Sequence, residues 1–254
     1  MSKCTGCRNG TELPFSLRIA FQPIVDLHSA RPYAYEALVR GPNGEGAASV
    51  LAQVTDDNLY AFDQACRVAA IRTAVDAGLL DTDARLSINF LPNAVYSPVA
   101  CIQLTLKTAK EKGLPVDRLI FEFTENQRIE PLHLQSIVTS YRAMGFQTAI
   151  DDFGAGHSGL GLLANLQTDV IKLDMDLVRG IDASMPRRLI VGSLVALAER
   201  MEIRLVAEGV ETPAELKALR DCGVRYVQGY LFARPQLETL VQPDTTVLRS
   251  QLAA

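Results

Sequence analysis

Eight polar or charged residues of this chain stand where short apolar runs end. Five are acids, and the others are two amides and a lysine: Glu36, Asn89, Glu122, Asp151, Asp152, Lys172, Glu208 and Gln228. Acids that meet at one point repel each other unless cations neutralise them. If the fold brings these run ends together, the pattern predicts a metal site.

Each of these residues also has an ordinary explanation when it is taken alone. Lys172 lies in an apolar run and would be expensive to bury unpaired, so an ion pair with Asp174, two residues further on the same strand face, is its alternative role. The other single-residue alternatives are a half-buried ion pair for Glu36, a loop cap for Asn89, a turn for Asp151-Asp152 and an ordinary strand-end acid for Glu208. The eight together are harder to explain in this way.

The elements that must position these residues follow an alternating pattern. Runs 19–25 and 33–40 are predicted strands, and the seven residues between them are too few for a crossover helix, so they form an antiparallel hairpin. The further predicted strands are 86–89, 119–123, 147–150, 170–173, 205–207 and 226–227. The predicted helices are 59–77, 99–112, 132–144, 187–201 and 214–221.

This order predicts an α/β fold, a modified (β/α)8 TIM-type barrel whose first strand is antiparallel. In such a barrel the carboxyl ends of the parallel strands meet on one face, where active sites lie. No glycine-rich nucleotide fingerprint follows a predicted strand, which argues against an open doubly wound sheet. Gly113, Gly145 and Gly223 are placed to end helices, and Thr212 before Pro213 is placed to begin one.

Length and composition agree with one domain. The chain has 254 residues, 48% of them hydrophobic, and a formal net charge of −4. An acidic balance argues against polymeric nucleic acid and anionic membranes as partners. No apolar run approaches the roughly 18–20 residues that span a bilayer, and the first residues contain no apolar signal-peptide core, so we expect a cytoplasmic protein. The predicted division is a tail, 1–16, followed by the barrel domain, 17–254.

The chain has five cysteines. Cys66, Cys101 and Cys222 are predicted to be small buried hydrophobic residues. Cys4 and Cys7 form a Cys-x-x-Cys pair in the tail, which is half a zinc site at most because no second pair or histidine is near. An incidental tail, a redox pair and a metal site shared between subunits remain open.

Six strings, spread in order over about residues 17–240, resemble the EAL-domain family. They are Phe21-Gln22-Pro23-Ile24-Val25, Glu36-Ala37-Leu38-Val39-Arg40, Asp151-Asp152-Phe153-Gly154-Ala155-Gly156, Ile171-Lys172-Leu173-Asp174, Val206-Ala207-Glu208-Gly209-Val210-Glu211-Thr212 and Gln228-Gly229-Tyr230-Leu231-Phe232. The resemblance implies a bacterial phosphodiesterase that hydrolyses the second messenger cyclic di-GMP to linear pGpG. It also implies the barrel with a reversed first strand.

The resemblance implies a role for each matched position. It assigns a first metal position to Glu36, Asn89, Glu122 and Asp151, and a second to Asp151 as bridge, Asp152 directly and Glu208 through water. Two Mg²⁺ or Mn²⁺ ions suit these oxygen ligands, and Ca²⁺ is expected to inhibit. The implied catalytic set is Lys172, which orients the attacking water, with Glu36, Asp151, Asp152 and Glu208. The implied substrate contacts are Gln22, Leu38, Arg40 and Gln228.

The resemblance further implies a homodimer, and a loop after Asp152 that Glu125 holds in position. Glu125 matches a glutamate that holds the loop after Asp152, and the dimer would form near residues 153–163 and the following helix. Leu160, Leu162 and Leu163 are apolar residues in that segment, for which burial within one subunit is the alternative. A catalytically silent cyclic di-GMP receptor or protein-interaction module is the alternative function. We favour the enzyme because no metal-ligand position is lost.

Overall fold

A computed structural model describes residues 13–124, 130–156 and 159–250. Its strands form one sheet that closes into a barrel, because β1 pairs with both β2 and β8. The strands are β1 (Arg18–Asp26), β2 (Arg31–Arg40), β3 (Arg85–Asn89), β4 (Leu119–Thr124), β5 (Gln147–Phe153), β6 (Val170–Leu173), β7 (Arg204–Ala207), β8 (Tyr226–Val227) and β9 (Gln236–Leu237). The predicted TIM-type barrel is confirmed.

Of the strands β1 to β8, β1 alone runs opposite to the others. β1 is antiparallel to β2, from Arg18 opposite Arg40 to Asp26 opposite Arg31, whereas β2 to β8 pair in parallel in chain order. The predicted hairpin is therefore confirmed. β9 is an additional strand that pairs with β1 at Ala20 and Phe21. β9 was not predicted.

Helices lie between the strands. They are α1 (Ala47–Leu51), α2 (Leu59–Asp76), α3 (Pro98–Cys101), α4 (Gln103–Lys112), α5 (Pro131–Ala143), α6 (Gly159–Asn165), α7 (Met175–Val178), α8 (Met185–Arg200), α9 (Pro213–Asp221) and α10 (Thr246–Ser250). The predicted helix 99–112 has two segments, although Ile102 between them keeps right-handed helical dihedral angles. The unpredicted helices α1, α6, α7 and α10 are too short to show a helical period. None of the helices in the described ranges is long and apolar enough to cross a membrane.

The predicted helix ends are also confirmed. Gly113, Gly145 and Gly223 have positive φ angles of 71°, 91° and 90° where helices α4, α5 and α9 finish. The Thr212 hydroxyl accepts a hydrogen bond from the Glu215 amide, and the Glu215 carboxylate accepts one from the Thr212 amide, so the two form a capping box. These signals depend on local backbone chemistry alone, which is why they can be found in the sequence.

The cysteines of the described ranges are all free thiols. Cys101 is buried, as predicted, whereas Cys66 and Cys222 are partly exposed. Burial raises the pKa of the Cys66 and Cys222 thiols, so neither has the low pKa of a reactive cysteine. Cys4 and Cys7 lie outside the described residues, and the division of the chain at residues 16 and 17 stays a prediction.

Candidate metal centre

The candidate site is the layer directly above the packed interior of the barrel. The inner cluster of the barrel contains Ala34, Ile120, Ala149, Val170 and Val206. Side chains alternate between the two faces of a strand, so residues two positions further along project into the same interior. On these five strands those residues are Glu36, Glu122, Asp151, Lys172 and Glu208. The structure therefore brings the predicted residues together by strand periodicity.

Lys172 lies at the centre of the acids and is 1% exposed. Its Nζ is 2.6 Å from Glu208 Oε1, 2.9 Å from Glu122 Oε2, 3.1 Å from Asp151 Oδ1 and 3.4 Å from Glu36 Oε2. The alternative partner Asp174 instead accepts a hydrogen bond from the Asp176 amide and caps α7. One ammonium group therefore faces several carboxyl groups and compensates only part of their charge.

The acids form two overlapping groups that could each hold a cation. One ligand oxygen from each of Glu36, Glu122 and Asp151 lies within 4.8 Å of the others, and the same holds for Asp151, Asp152 and Glu208. Asp151 belongs to both groups. Asn89 lies beside the first group, because its Nδ2 donates to Glu36 Oε1 at 3.0 Å. Its Oδ1 takes no part in that hydrogen bond and can serve as a ligand. The arrangement can hold two cations that share one carboxylate.

Asp152 reaches this site because the strand is irregular. Adjacent residues of a regular strand point to opposite faces, so Asp151 and Asp152 would normally be separated by the sheet. The pairing of β5 with β6 shifts between Ile150 and Phe153, and Asp152 has a φ of 54°. This left-handed conformation is uncommon outside glycine but is tolerated by aspartate. The bulge turns both carboxyl groups toward the same centre.

Burial makes ionisation difficult for four of the five acids; it also acts on Glu36, but Lys172, Gln228 and Asn89 outweigh it and hold the pKa of Glu36 below its usual value. Burial raises the pKa of Glu122 to about 8 and that of Asp152 to about 6, and nearby carboxylates add to both shifts. The pKa values of Asp151 and Glu208 are raised for the same reason, although Lys172 opposes it. Burial lowers the pKa of Lys172, but the surrounding carboxylates outweigh it and hold that pKa well above its usual value. A bound divalent cation would favour the ionised carboxylates.

The donors that are present fit a divalent cation. Asp151 Oδ1 and Glu208 Oε1 are buried and accept no hydrogen bond of good geometry among the described residues, although both lie near Lys172 Nζ. Lys172 is the one charged donor beside both oxygens in the described ranges, and a cation would supply the charge that it leaves uncompensated. The candidate ligands offer oxygen atoms only, which Mg²⁺ and Mn²⁺ prefer.

A cavity of about 160 Å³ opens beside the acids and contains two of the predicted substrate residues. Gln228 Nε2 donates to Glu36 Oε2 at 2.9 Å and to Gln22 Oε1 at 3.4 Å, so both amides are fixed against a candidate ligand. The cavity is lined by Gln22, Glu36, Met175, Arg179, Glu208, Gly209, Glu211, Gln228, Gly229 and Tyr230.

The other two predicted substrate residues do not line this cavity. Leu38 and Arg40 lie two and four residues after Glu36, on the same face of β2 and nearer the end of the strand. Arg40 Nη1 donates to the carbonyl of Val39 at 2.8 Å. Their roles stay predictions, and Glu125 lies outside the described residues.

Sequence reasoning missed Ser87, which is fully buried and donates a hydrogen bond to Glu122 Oε1. Its position two residues before Asn89 on β3 was a signal that could have found it, because that spacing places it on the inner face. Tyr230 and Arg179 were also missed. Both lie in loops, where no periodic pattern indicates which side chains face the cavity.

A closed barrel with one reversed strand and an oxygen-rich cluster at its carboxyl end is the arrangement of the EAL domain. Residues 15–235 of the chain match this family, and the chain belongs to it. The resemblance of the six sequence strings is therefore confirmed.

Curated relatives share the domain but are longer. The chain is 34% identical over 219 residues to the blue light- and temperature-regulated antirepressor BluF of Escherichia coli (strain K12), covering 86% of the chain and 54% of BluF. It is 30% identical over 232 residues to the cyclic di-GMP phosphodiesterase NbdA of Pseudomonas aeruginosa, covering 86% of the chain and 29% of NbdA. The chain thus spans about half of BluF and less of NbdA.

Solved structures agree in fold. A standalone versatile EAL protein from Vibrio cholerae O395, in its c-di-GMP-bound form, superimposes with a TM-score of 0.89 at 47% identity, over 93% of this chain and 99% of that one. Klebsiella pneumoniae BlrP1, in a manganese and cyclic di-GMP complex, gives a TM-score of 0.84 at 35% identity, over 92% of this chain and 59% of BlrP1.

Proposed function

We propose that the protein hydrolyses cyclic di-GMP to linear pGpG with two Mg²⁺ or Mn²⁺ ions. The observation that carries this proposal is the pair of acid groups that share Asp151 beside a cavity containing Gln22 and Gln228. The phosphodiesterase NbdA and the cyclic di-GMP complexes of similar structures support the choice of substrate.

Each acid group has a distinct part in this proposal. Glu36, Asn89, Glu122 and Asp151 would hold the first cation, and Asp151 and Asp152 directly, with Glu208 through water, would hold the second. When bound, the cations supply the Lewis acidity that lowers the pKa of a water molecule and neutralises charge on the phosphodiester. Ser87 and Gln228 hold the first group in place, because they donate to Glu122 and Glu36.

Lys172 acts on the water and the phosphorus. Its ammonium group contacts both Asp151 and Glu208, so it reaches the boundary between the two acid groups. There it orients the attacking water in line with the scissile bond and offsets the negative charge that develops at phosphorus. The 3′-oxygen leaves on the opposite side. Buried and surrounded by carboxylates, Lys172 remains protonated and does not act as a base.

One observation favours a second function. The relative BluF is named as an antirepressor, so a silent cyclic di-GMP receptor or interaction module is the alternative. The deciding experiment incubates purified protein with cyclic di-GMP and Mg²⁺ or Mn²⁺ and separates the products by anion-exchange chromatography. Accumulation of pGpG supports the enzyme. Saturable binding of cyclic di-GMP without pGpG would establish the receptor instead.

Arg40→Ala is expected to raise the KM for cyclic di-GMP about 10- to 100-fold while leaving kcat nearly unchanged. The expectation follows because a charged hydrogen bond to substrate contributes about 1.5–3 kcal/mol in the ground and transition states alike. Steady-state kinetics measure both constants. Arg31→Ala, at the opposite end of β2, is the matched control and should leave both unchanged. An unaltered KM in Arg40→Ala would remove Arg40 from the substrate site.

We also propose a homodimer formed near α6 and the start of α8. Leu163 is buried and Leu162 half-buried, so burial within one subunit explains these two, but Leu160 is 63% exposed. Further large apolar side chains are exposed on the first turns of α8: Met185, Leu189 and Ile190. Large apolar side chains that are exposed in one subunit can be covered in an interface.

Leu160→Asp is accordingly expected to convert a dimer to a monomer. A buried charge at an apolar interface is strongly unfavourable. Light scattering coupled to size-exclusion chromatography measures the mass. Leu132→Asp, at a similarly exposed position of α5, is the control and should stay dimeric. A wild-type protein that is monomeric at full specific activity would contradict the dimer.

A further inference from the structure

We infer that the four-residue helix α7 fixes the separation of Asp152 and Glu208, and that Met175 and Leu177 are positioning residues for the second cation. The inference rests on the proposed function, because it concerns the second acid group. α7 begins three residues after Lys172. Its N-cap residue Asp174 donates its amide to the carbonyl of Phe153 at 3.1 Å, which joins the helix to the residue after Asp152.

The loop after Asp152 rests on Leu177. Gly154, two residues beyond Asp152, has a φ of 99°, and a Cβ built on it would lie 2.6 Å from Leu177 Cδ1. Carbon atoms in van der Waals contact lie about 3.5–4.0 Å apart, so a side chain at this position requires Leu177 to move. The backbone of this loop is therefore in direct contact with α7.

The loop after Glu208 rests on Met175 in the same way. Gly209 follows Glu208 directly and has a φ of 70°, and a Cβ on it would lie 2.7 Å from Met175 Cβ and 3.5 Å from Met175 Cα. The positions of Met175 Cα and Cβ are fixed by the backbone, so these atoms cannot rotate away as the end of a side chain can. The Glu208 amide also donates to the carbonyl of Leu173 at 3.3 Å, just before α7.

The loop after Glu208 is also held on its other side. Val210 donates its amide to the carbonyl of Gln228 at 3.1 Å and accepts from the amide of Leu231 at 3.1 Å. A Cβ on Gly229 would collide with the backbone of Val210. The loop is therefore confined between α7 and the segment after β8, and any displacement at Gly209 moves Glu208.

These contacts distinguish the second acid group from the first. Glu36, Glu122 and Asp151 lie on strands whose pairing fixes them. The position of the Asp152 carboxylate depends on a left-handed bulge, and that of the Glu208 carboxylate depends on the loop after β7. Helix α7 touches both the loop after Asp152 and the loop after Glu208. Met175 and Leu177 thus act through Asp152 and Glu208 and set the distance between them.

Gly209→Ala tests the inference against Gly113→Ala. The two glycines have nearly equal φ angles of 70° and 71°, but a Cβ on Gly113 meets no described residue within 4 Å. Both variants should lose thermal stability from the left-handed strain. Only Gly209→Ala should weaken one of two Mn²⁺ binding events, by about 10- to 100-fold, as expected for a residue that supports metal ligands. Isothermal titration calorimetry measures this, and an isotherm equal to that of Gly113→Ala overturns the inference.

Gly154→Ala supplies an independent test through rescue. Among the described residues the added methyl group meets Leu177 alone, so Leu177→Ala makes room for it. We expect Gly154→Ala and Leu177→Ala each to weaken the same Mn²⁺ binding event, the first by collision and the second by loss of support. The double variant should bind more tightly than Gly154→Ala, because the new methyl group fills part of the space that Leu177 leaves. A double variant as weak as Gly154→Ala would refute the contact. If wild-type protein binds two Mn²⁺ ions without hydrolysing cyclic di-GMP, the proposed function fails, and these isotherms still decide the role of α7.

Discussion

Chelation with EDTA is expected to abolish formation of pGpG, and added Mg²⁺ or Mn²⁺ is expected to restore it. Within the described ranges, neither His28 nor His133 lines the cavity, and Lys172 is held protonated. Neither histidine nor Lys172 is therefore available as the base, and the carboxylates of the site are assigned to the cations as ligands. A bound divalent cation lowers the pKa of a coordinated water below that of bulk water and offsets charge on the phosphodiester, so its removal should reduce the rate by several orders of magnitude.

Time courses of pGpG formation, followed by chromatography with and without EDTA, check this expectation. Ca²⁺ should bind but support little turnover, because it is larger and holds its ligands in looser geometry. The same EDTA concentration saturated beforehand with Mg²⁺ is the control, and it should leave the reaction unaffected. Undiminished activity in free EDTA would rule out the metal mechanism.

Replacement of Lys172 by alanine is expected to lower kcat about 100- to 10,000-fold, the range that proton-handling and water-orienting groups contribute. KM should change little, because Lys172 is 1% exposed among the acids and is not among the residues that line the cavity. Loss of its charge also increases repulsion among the four contacting carboxylates, so the metal-free variant should be less stable than the metal-bound one.

Steady-state kinetics at saturating Mn²⁺ separate the two constants. Lys112→Ala is the matched control, because Lys112 pairs with Asp76 at 2.6 Å on the exposed surface of a helix. It should behave as wild type. A parallel rise in KM for Lys172→Ala, or an unchanged kcat, would show that Lys172 binds substrate or only stabilises the fold.

Much of the site could be predicted because two sequence patterns specify it, the apolar runs and the alternation of side chains along each strand. The apolar runs identify the strands, and alternation along each strand places Glu36, Glu122 and Lys172 two residues beyond the packed interior. Closure of the barrel then brings residues from distant parts of the chain together. No side-chain contact needed to be known in advance for this step.

The features that were missed depend on tertiary contacts. The left-handed bulge at Asp152 breaks the alternation that makes strands predictable, so the sequence shows two adjacent acids without showing that they converge. The helix α7 has four residues, and its position depends on glycines in two other loops. Ser87 looks like any small residue of an apolar strand until Glu122 is placed beside it.

The reversed strand β1 also determines where the polypeptide joins the barrel. In a barrel whose strands all run in parallel, the first strand starts at the face opposite the active site. Here Arg18 begins β1 opposite Arg40, at the carboxyl end of β2, so the chain enters the barrel at the end that carries the acid cluster. A module joined ahead of β1 would be tethered beside the substrate opening, at the high effective concentration that a short linkage gives. Such a module could cover or uncover the opening by a small displacement, without transmitting strain through the barrel.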